Sequence, residues 1–192
     1  MEKNSLVHSS KIVVIGGSAG SLDVLFKILP QLQPTTRTVI IIVLHRGNSG
    51  DSSLTDLLSS KTVLPVVEVE DKDQILDGKI YLAPRDYHLL LEKDFTFSLD
   101  YSEKINFSRP SLDVTFESAA DVFGSAVIGI ILSGANEDGT NGLRIVKMKG
   151  GTLIAQDPDT ASMQVMPQFA INNLPIDFVL SINQIADFIN HL

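Results

Sequence analysis

The chain contains no cysteine, which excludes thiol catalysis, disulfide bonds and cysteine-based zinc sites together. Long hydrophobic runs are missing too: the stretch Val-Ile-Ile-Ile-Val-Leu at 39–44 falls far short of the ~20 residues needed to cross a bilayer. The first ten residues lack the apolar segment of a secretory signal, so 1–10 read as a short disordered lead-in to one domain over 11–192. Positive charge is scarce. Fifteen Lys and Arg stand against 23 Asp and Glu, for a formal net charge of −8. Nucleic-acid binding needs Lys and Arg clustered against phosphates, and here they are scattered, so no nucleic-acid partner is expected. Repeats and low-complexity tracts are also absent. What remains is an ordinary globular composition, 44% hydrophobic and 20% charged over 192 residues, enough for one domain with a sizeable core. A cytoplasmic location without membrane insertion is the expectation.

Short apolar strands alternate with amphipathic helices along the chain. Lys11 to Ile15 is a β-branched run closed by Gly16 and Gly17, and Ser21 to Leu32 carries Leu22, Leu25, Phe26 and Leu29 at helical spacing. Val39 to Leu44 and Ala126 to Leu132 are continuous apolar runs, the pattern of strands buried on both faces of a parallel sheet. Further strands are predicted at 65–69, 152–155 and 178–180, and further helices at 54–58, 111–123, 141–149, 163–172 and 182–191, with Ser111 as the cap of the third helix. In the middle, 78–82, 88–92 and 95–99 read as short strands, two of them forming an antiparallel hairpin. The fold class is α/β: a doubly wound, mostly parallel sheet with helices on both faces and one small hairpin. In such sheets sites form beyond the carboxyl ends of the strands, which directs attention to Gly16, His45 and Ser133.

The first of these ends, Gly16-Gly17-Ser18-Ala19-Gly20, fits G-x-S-x-G between a strand and a helix, the setting of a nucleophile elbow. A dinucleotide-binding loop would need glycine at positions 18 and 21, where serines stand, and no Walker lysine follows. On the loop alone, elbow, phosphate loop and plain tight turn all stay open. His45 directly follows the most apolar strand; it is either a hydrogen-bonding loop histidine or a base brought beside Ser18 by neighbouring strands. Asp138, in Ser133-Gly134-Ala135-Asn136-Glu137-Asp138-Gly139, belongs either to a solvated acidic turn or to a triad as the carboxylate that orients the imidazole. Glu137 competes for that role. His88, within a predicted strand, reads as structural.

Six segments in order carry a resemblance: I-G-G-S-A-G at 15–20, V-L-H at 43–45, I-Y-L-A-P with H-L-L-L at 80–91, F-S-R-P-S-L-D-V-T-F at 107–116, L-S-G with D-G at 132–139, and A-Q-D with M-P at 155–167. With these the chain resembles the catalytic domain of the CheB chemotaxis methylesterase family from Lys11 to about Ile189. The resemblance implies a Ser-His-Asp esterase that hydrolyses glutamate γ-methyl esters on methyl-accepting chemotaxis receptors, and in many members also deamidates receptor glutamines. It puts the nucleophile at Ser18, the base at His45 and the acid at Asp138, with no metal or organic cofactor. Two departures stand out. Gly134-Ala135-Asn136 replaces the usual G-M-G, and Ser18-Ala19-Gly20-Ser21 replaces S-T-G-G.

On this reading the oxyanion is held by the main-chain N–H groups of Ala19 and Ala135. Because the enzyme and a Glu-rich receptor helix are both acidic, a local basic rim is expected, with Arg46 and Arg109 as substrate-binding candidates; a structural role for Arg109 is the competing reading. Ten residues ahead of Lys11 are too few for the phospho-receiver domain that family members often carry, so a stand-alone catalytic domain is expected. The alternative from another class is a catalytically weak or silent receptor-binding module on the same scaffold; a nucleotide-binding domain is disfavoured by the broken glycine pattern and by His45.

Overall fold

In chain order the elements are β1 (Lys11–Gly17), α1 (Ser21–Ile28), β2 (Thr38–Leu44), α2 (Leu54–Ser59), β3 (Val66–Glu68), β4 (Ile80–Leu82), β5 (His88–Leu91), β6 (Phe97–Asp100), α3 (Leu112–Phe123), β7 (Val127–Ile131), α4 (Thr140–Met148), β8 (Thr152–Gln156), α5 (Val165–Asn173), β9 (Phe178–Leu180) and α6 (Ile182–Asn190). They come from a computed structural model that describes residues 10–34, 37–45 and 54–192. Seven strands form one parallel sheet in the order β3-β4-β2-β1-β7-β8-β9, and β5 and β6 pair antiparallel as a separate hairpin. The fold class read from the sequence is the observed one.

The continuous apolar runs are explained by burial on both faces of the sheet. Alternate residues of β1 and β2 feed two separate cores. Ile12, Val14, Val39, Ile41 and Val43 pack with Leu112 and Phe116 of α3, Leu143 and Val146 of α4, Met166 of α5 and the hairpin residues Leu89 and Phe97. Val13, Ile15, Ile40 and Ile42 face the other way, onto Leu25 and Ile28 of α1, Leu58 of α2 and Ile185 and Ile189 of α6. Each fully buried Val, Leu or Ile side chain contributes roughly 1.5–3 kcal/mol relative to exposure, so this double-sided central layer fixes the strand ends on which the site is built. Among the described residues no helix is long and apolar enough to cross a membrane.

Several element ends differ from the sequence reading. The helix expected over 21–32 stops at Ile28 and tightens into a 3-10 turn over Leu29–Gln31; Pro30 lacks the N–H and its ring clashes with the preceding turn. The fifth helix begins at Val165, not at 163, because Met163 is taken by the loop after β7: its N–H donates to Ser133 Oγ at 2.9 Å and its carbonyl accepts from Gly134 N–H at 3.0 Å. Ser10, counted with the lead-in on sequence grounds, is buried, and 1–9 lie outside the described residues.

The strand order turns at the centre. From β1 the chain proceeds to β2 and outward to β3 and β4, then returns to add β7, β8 and β9 on the other side of β1. Such a reversal leaves a crevice at the carboxyl ends of the central strands. Ser18, His45 and Ser133 all stand there.

Candidate active site

Ser18 follows the last residue of β1 and is half-buried. Its backbone is held firmly: its N–H donates to Ser133 O at 2.9 Å, and Ser21 returns both its N–H and its hydroxyl to Ser18 O. The small neighbours that suggested an elbow are required by this turn. Gly20 has φ +80, and a Cβ there would stand 2.8 Å from Ser133 Oγ and from Ser162. A Cβ at Gly17 would come within 2.5 Å of Ser21 Cβ. Among the described residues, the N–H groups of Ala19 and Ala135 donate to no backbone or side-chain acceptor, and both residues are exposed beside the crevice.

Register brings His45 to the same place. Gly17 and Leu44 are partners in the parallel pairing of β1 and β2, so Ser18 and His45 are the next residues on strands that run about 5 Å apart. The link continues past the strands through His45 N–H to Gly17 O at 3.2 Å. No direct hydrogen bond joins the Ser18 hydroxyl to the His45 ring. The ring's other face is committed: its Nε2 lies 2.7 Å from Asp138 Oδ2, with 11% of the His45 side chain exposed and none of Asp138. Since an ionised carboxylate only accepts, Nε2 donates to it, and in the neutral ring the lone pair is on Nδ1. Around Nδ1 stand Ser108 Oγ and Asn136 Nδ2, each at 3.4 Å.

Asp138 is a heavily solicited carboxylate. Besides His45 it accepts from Leu112 N–H at 2.7 Å, Ser111 Oγ at 2.9 Å, Asn106 Nδ2 at 3.1 Å and Asp113 N–H at 3.4 Å. Burial alone would push its pKa up, yet the hydrogen bonds from His45, Leu112 and Asn106, together with the His45 charge, bring it below the ordinary carboxylate value. The first-turn N–H groups of α3 thus find their acceptor in Asp138. This corrects the sequence reading of Ser111: it occupies the cap position, but its hydroxyl makes no cap bond and points instead at Asp138. A buried anion at a helix N-terminus does the capping more strongly than a neutral hydroxyl.

A second carboxylate stands behind the first. Asp113 accepts from Gly142 N–H at 2.7 Å and from the same Asn106 amide at 3.0 Å. Burial foremost, with the Asp138 charge adding to it, raises its pKa against the pull of Gly142 and Asn106. Asn106, Ser108, Ser111 and Asp113 had no assigned place in the chemistry at the sequence level, although all but Asn106 lie in the quoted segment 107–116. Asn106 sits with φ +50 next to Phe107 with φ +62, a tight left-handed turn that directs its amide inward between the two carboxylates.

The rivals resolve by geometry. Glu137, the alternative acid, is exposed and forms no bond to His45; its carbonyl accepts from Thr140 N–H at 3.3 Å. His88 is fully buried, receives Ser111 N–H on Nδ1 at 3.1 Å and meets Glu103 O at 3.0 Å through Nε2, so it ties the hairpin to the head of α3. Arg109 donates through Nη1 to Tyr101 O at 3.2 Å and Ser102 O at 2.6 Å, with its guanidinium carbon 3.8 Å from the Tyr101 ring centre. No ion pair with Arg109 forms among the described residues; it braces the loop, and with Lys104, Tyr101 and the Arg85–Asp86 pair it also lines an open cleft of about 690 Å3. Arg46 lies outside the described residues. A second, more apolar pocket of about 320 Å3 is lined by Asn106, Phe107, Asn136, Glu137, Val165 and Phe169, and Phe107 is 98% exposed at its rim.

Comparison with known proteins bears on this arrangement. A family profile described as CheB methylesterase matches residues 13–189. A Thermotoga maritima protein named protein-glutamate methylesterase/protein-glutamine glutaminase is 39% identical over 182 residues; that match covers 93% of this chain but 53% of the longer relative, so the chain spans about half its length. A Leptospira interrogans protein given the same name provisionally is 44% identical over 175 residues, 91% of each chain. In three dimensions the fold matches the crystal structure of the Thermotoga maritima CheB methylesterase catalytic domain with a TM-score of 0.91 at 38% identity, covering 95% of this chain and 98% of that one.

Proposed function

Since the chain belongs to the CheB methylesterase family, we propose that it is a protein-glutamate methylesterase in which Ser18, His45 and Asp138 form the catalytic triad. The proposed partner is the methylated helix of a chemoreceptor, met in the cytoplasm, and glutamine side chains of the same helix are a second substrate. The observation that carries this reading is the 2.7 Å contact between His45 Nε2 and the buried Asp138 at the end of the strand beside Ser18.

In the proposed reaction His45 Nδ1 takes the proton of the Ser18 hydroxyl as its oxygen attacks the γ-carbonyl carbon. The tetrahedral oxyanion lies against the N–H groups of Ala19 and Ala135; one such donor is worth on the order of a hundred- to a thousandfold in rate. Asp138, kept ionised by its donors, stabilises the imidazolium without itself accepting the proton. Collapse breaks the ester bond, His45 hands its proton to the leaving methoxy oxygen, and methanol departs. Water activated by the same nitrogen then cleaves the glutamyl-Ser18 ester, releasing glutamate and restoring the hydroxyl.

A chain of net charge −8 repels an acidic helix at long range. Arg109 is proposed to counter this at short range; the cleft it shares with Lys104, and with Arg85 paired to Asp86, lends the idea support. Because Arg109 also braces its own loop, the exposed Lys104 is the cleaner probe. Lys104→Ala should raise KM for a methylated receptor helix and leave kcat alone, and an unchanged KM would remove that cleft from substrate binding.

Methanol release from methylated receptor tests the proposal as a whole. Wild-type protein should release it, and Ser18→Ala should not; release by the Ser18→Ala variant at the wild-type rate contradicts the assignment. A silent binding module, the other reading of the scaffold, predicts no release from either protein, and the close His45–Asp138 pair speaks against it.

A further inference from the structure

The base of this site has two polar neighbours with different hydrogen-bonding capacities, and one of them is fixed in orientation. Asn136 Oδ1 accepts the main-chain N–H of Asp138 at 3.2 Å. A backbone N–H can only donate, so that contact settles which end of the amide is which: the NH2 group is the end turned to His45 Nδ1, at 3.4 Å. Ser108 Oγ, at the same distance, is a hydroxyl that rotates and serves as donor or acceptor as needed. Asn136 has no such freedom. It presents N–H groups and nothing else toward the nitrogen that must exchange protons with the substrate.

From this geometry, and resting on the methylesterase reading, we infer that Asn136 is a specificity-determining residue that favours methyl ester over side-chain amide through the leaving group it faces. When the tetrahedral intermediate collapses, the atom that departs must come within about 2.6–3.2 Å of His45 Nδ1 to receive its proton. That atom therefore enters the space along the Nδ1 lone pair, which the Asn136 amide already borders. A methoxy oxygen has two lone pairs and no hydrogen. It takes the proton from His45 on one and an N–H from Asn136 on the other as the C–O bond breaks. The nitrogen of a glutamine amide carries two hydrogens and, once tetrahedral, a single lone pair; that pair takes the His45 proton as the C–N bond breaks and ammonia leaves. Its own N–H groups then meet the N–H of Asn136, donor against donor.

The experiment compares kcat/KM for two versions of one receptor-derived helix, one with a glutamate methyl ester and one with glutamine at the same position. Release of methanol and of ammonia is followed in wild type, Asn136→Ala and Asn136→Asp. The ester-to-amide ratio should fall about ten- to a hundredfold in Asn136→Ala, the scale of one donor left facing a donor. It should fall further in Asn136→Asp, where an acceptor replaces the donor. Equal losses on both substrates in Asn136→Ala, leaving the ratio where it was, would overturn the inference, since a structural or oxyanion role acts on both alike. If Asn136→Ala does not fold, the Asn136→Asp ratio alone decides. Ser18→Ala is run beside them: persistence of both activities there would reject the Ser18 mechanism itself, a failure separate from that of Asn136.

Discussion

His45 meets Asp138 through Nε2, at 2.7 Å, and leaves Nδ1 to Ser108 Oγ and Asn136 Nδ2, each at 3.4 Å. In the serine-protease template the carboxylate holds Nδ1 and the nucleophile faces Nε2; the proposed triad uses the ring the other way round, with Asp138 on Nε2. The backbone explains why. His45 leaves β2 with its N–H tied to Gly17 O, which puts its main chain beside the nucleophile turn, and Nε2 reaches the carboxylate that also accepts the N–H of Leu112 at the head of α3. The tautomer is thereby set by a buried anion that cannot donate.

Replacing that anion by an amide should be severe. Asp138→Asn offers His45 an NH2 or a neutral oxygen and favours the wrong tautomer, so kcat should fall by roughly ten-thousandfold with little change in KM. Steady-state kinetics on a methylated receptor helix would check it, and a loss under tenfold would show that the carboxylate does not serve the base.

The groups that hold Asp138 should matter in proportion to their bonds. Ser111→Ala removes the hydroxyl 2.9 Å from Asp138 Oδ1 inside the core and should cost about 1–3 kcal/mol of stability, the range for leaving a buried partner unsatisfied. Urea unfolding, read together with kcat, would measure it; an unchanged urea midpoint would mean that other donors fully take over.

Stability should depend on pH through the same carboxylates, with opposite signs. Asp138 has a folded pKa below its unfolded value near 4. Between the two values the unfolded chain binds the extra proton, so stability present above pH 4 is lost as the pH falls through the folded value. Asp113 has a raised pKa; above about pH 4, and up to that raised value, the folded chain holds the extra proton, so its contribution declines as the pH rises through that window. The stability gap between wild type and Asp138→Asn should therefore narrow when unfolding is measured below pH 4, while the gap between wild type and Asp113→Asn should move the other way with pH. A gap to Asp138→Asn that is the same at pH 3 and pH 7 would contradict the assignment of these directions.

At the nucleophile turn, Gly20→Ala places a Cβ on a residue at φ +80 and within 2.8 Å of two serines. The backbone conformation alone costs roughly 1–2 kcal/mol for a residue with a side chain, and the contacts require the loop after β7 to shift. The thermal midpoint should drop and the rate with it; a variant as stable and active as wild type would mean that the turn can be remade without a left-handed residue.

Much of this was visible in the bare sequence. Strands buried on both faces leave unbroken apolar runs, so β1, β2 and β7 could be read directly, and with them the positions of Ser18, His45 and the acid loop at three strand ends. What stayed hidden depends on contacts between distant segments. Asn106 and Ser111 reach Asp138 across 32 and 27 residues, and no local pattern marks a serine that gives its hydroxyl to a remote carboxylate instead of capping its own helix. On the residues alone the choice between Asp138 and Glu137 was likewise open, and only the family resemblance favoured Asp138, since adjacent acids differ in which one the turn points inward. Pro30 marks the break in the first helix, a signal that the reading of 21–32 from apolar spacing left unused.

The central claim is that Ser18 is an activated nucleophile with His45 as its base. Treating the protein with a fluorophosphonate and locating the adduct by peptide mass spectrometry tests it most directly. The account predicts a single phosphonylated residue, Ser18, with labelling abolished in Ser18→Ala and strongly slowed in His45→Ala. Labelling at Ser108, or undiminished labelling of the Ser18→Ala variant, would contradict it.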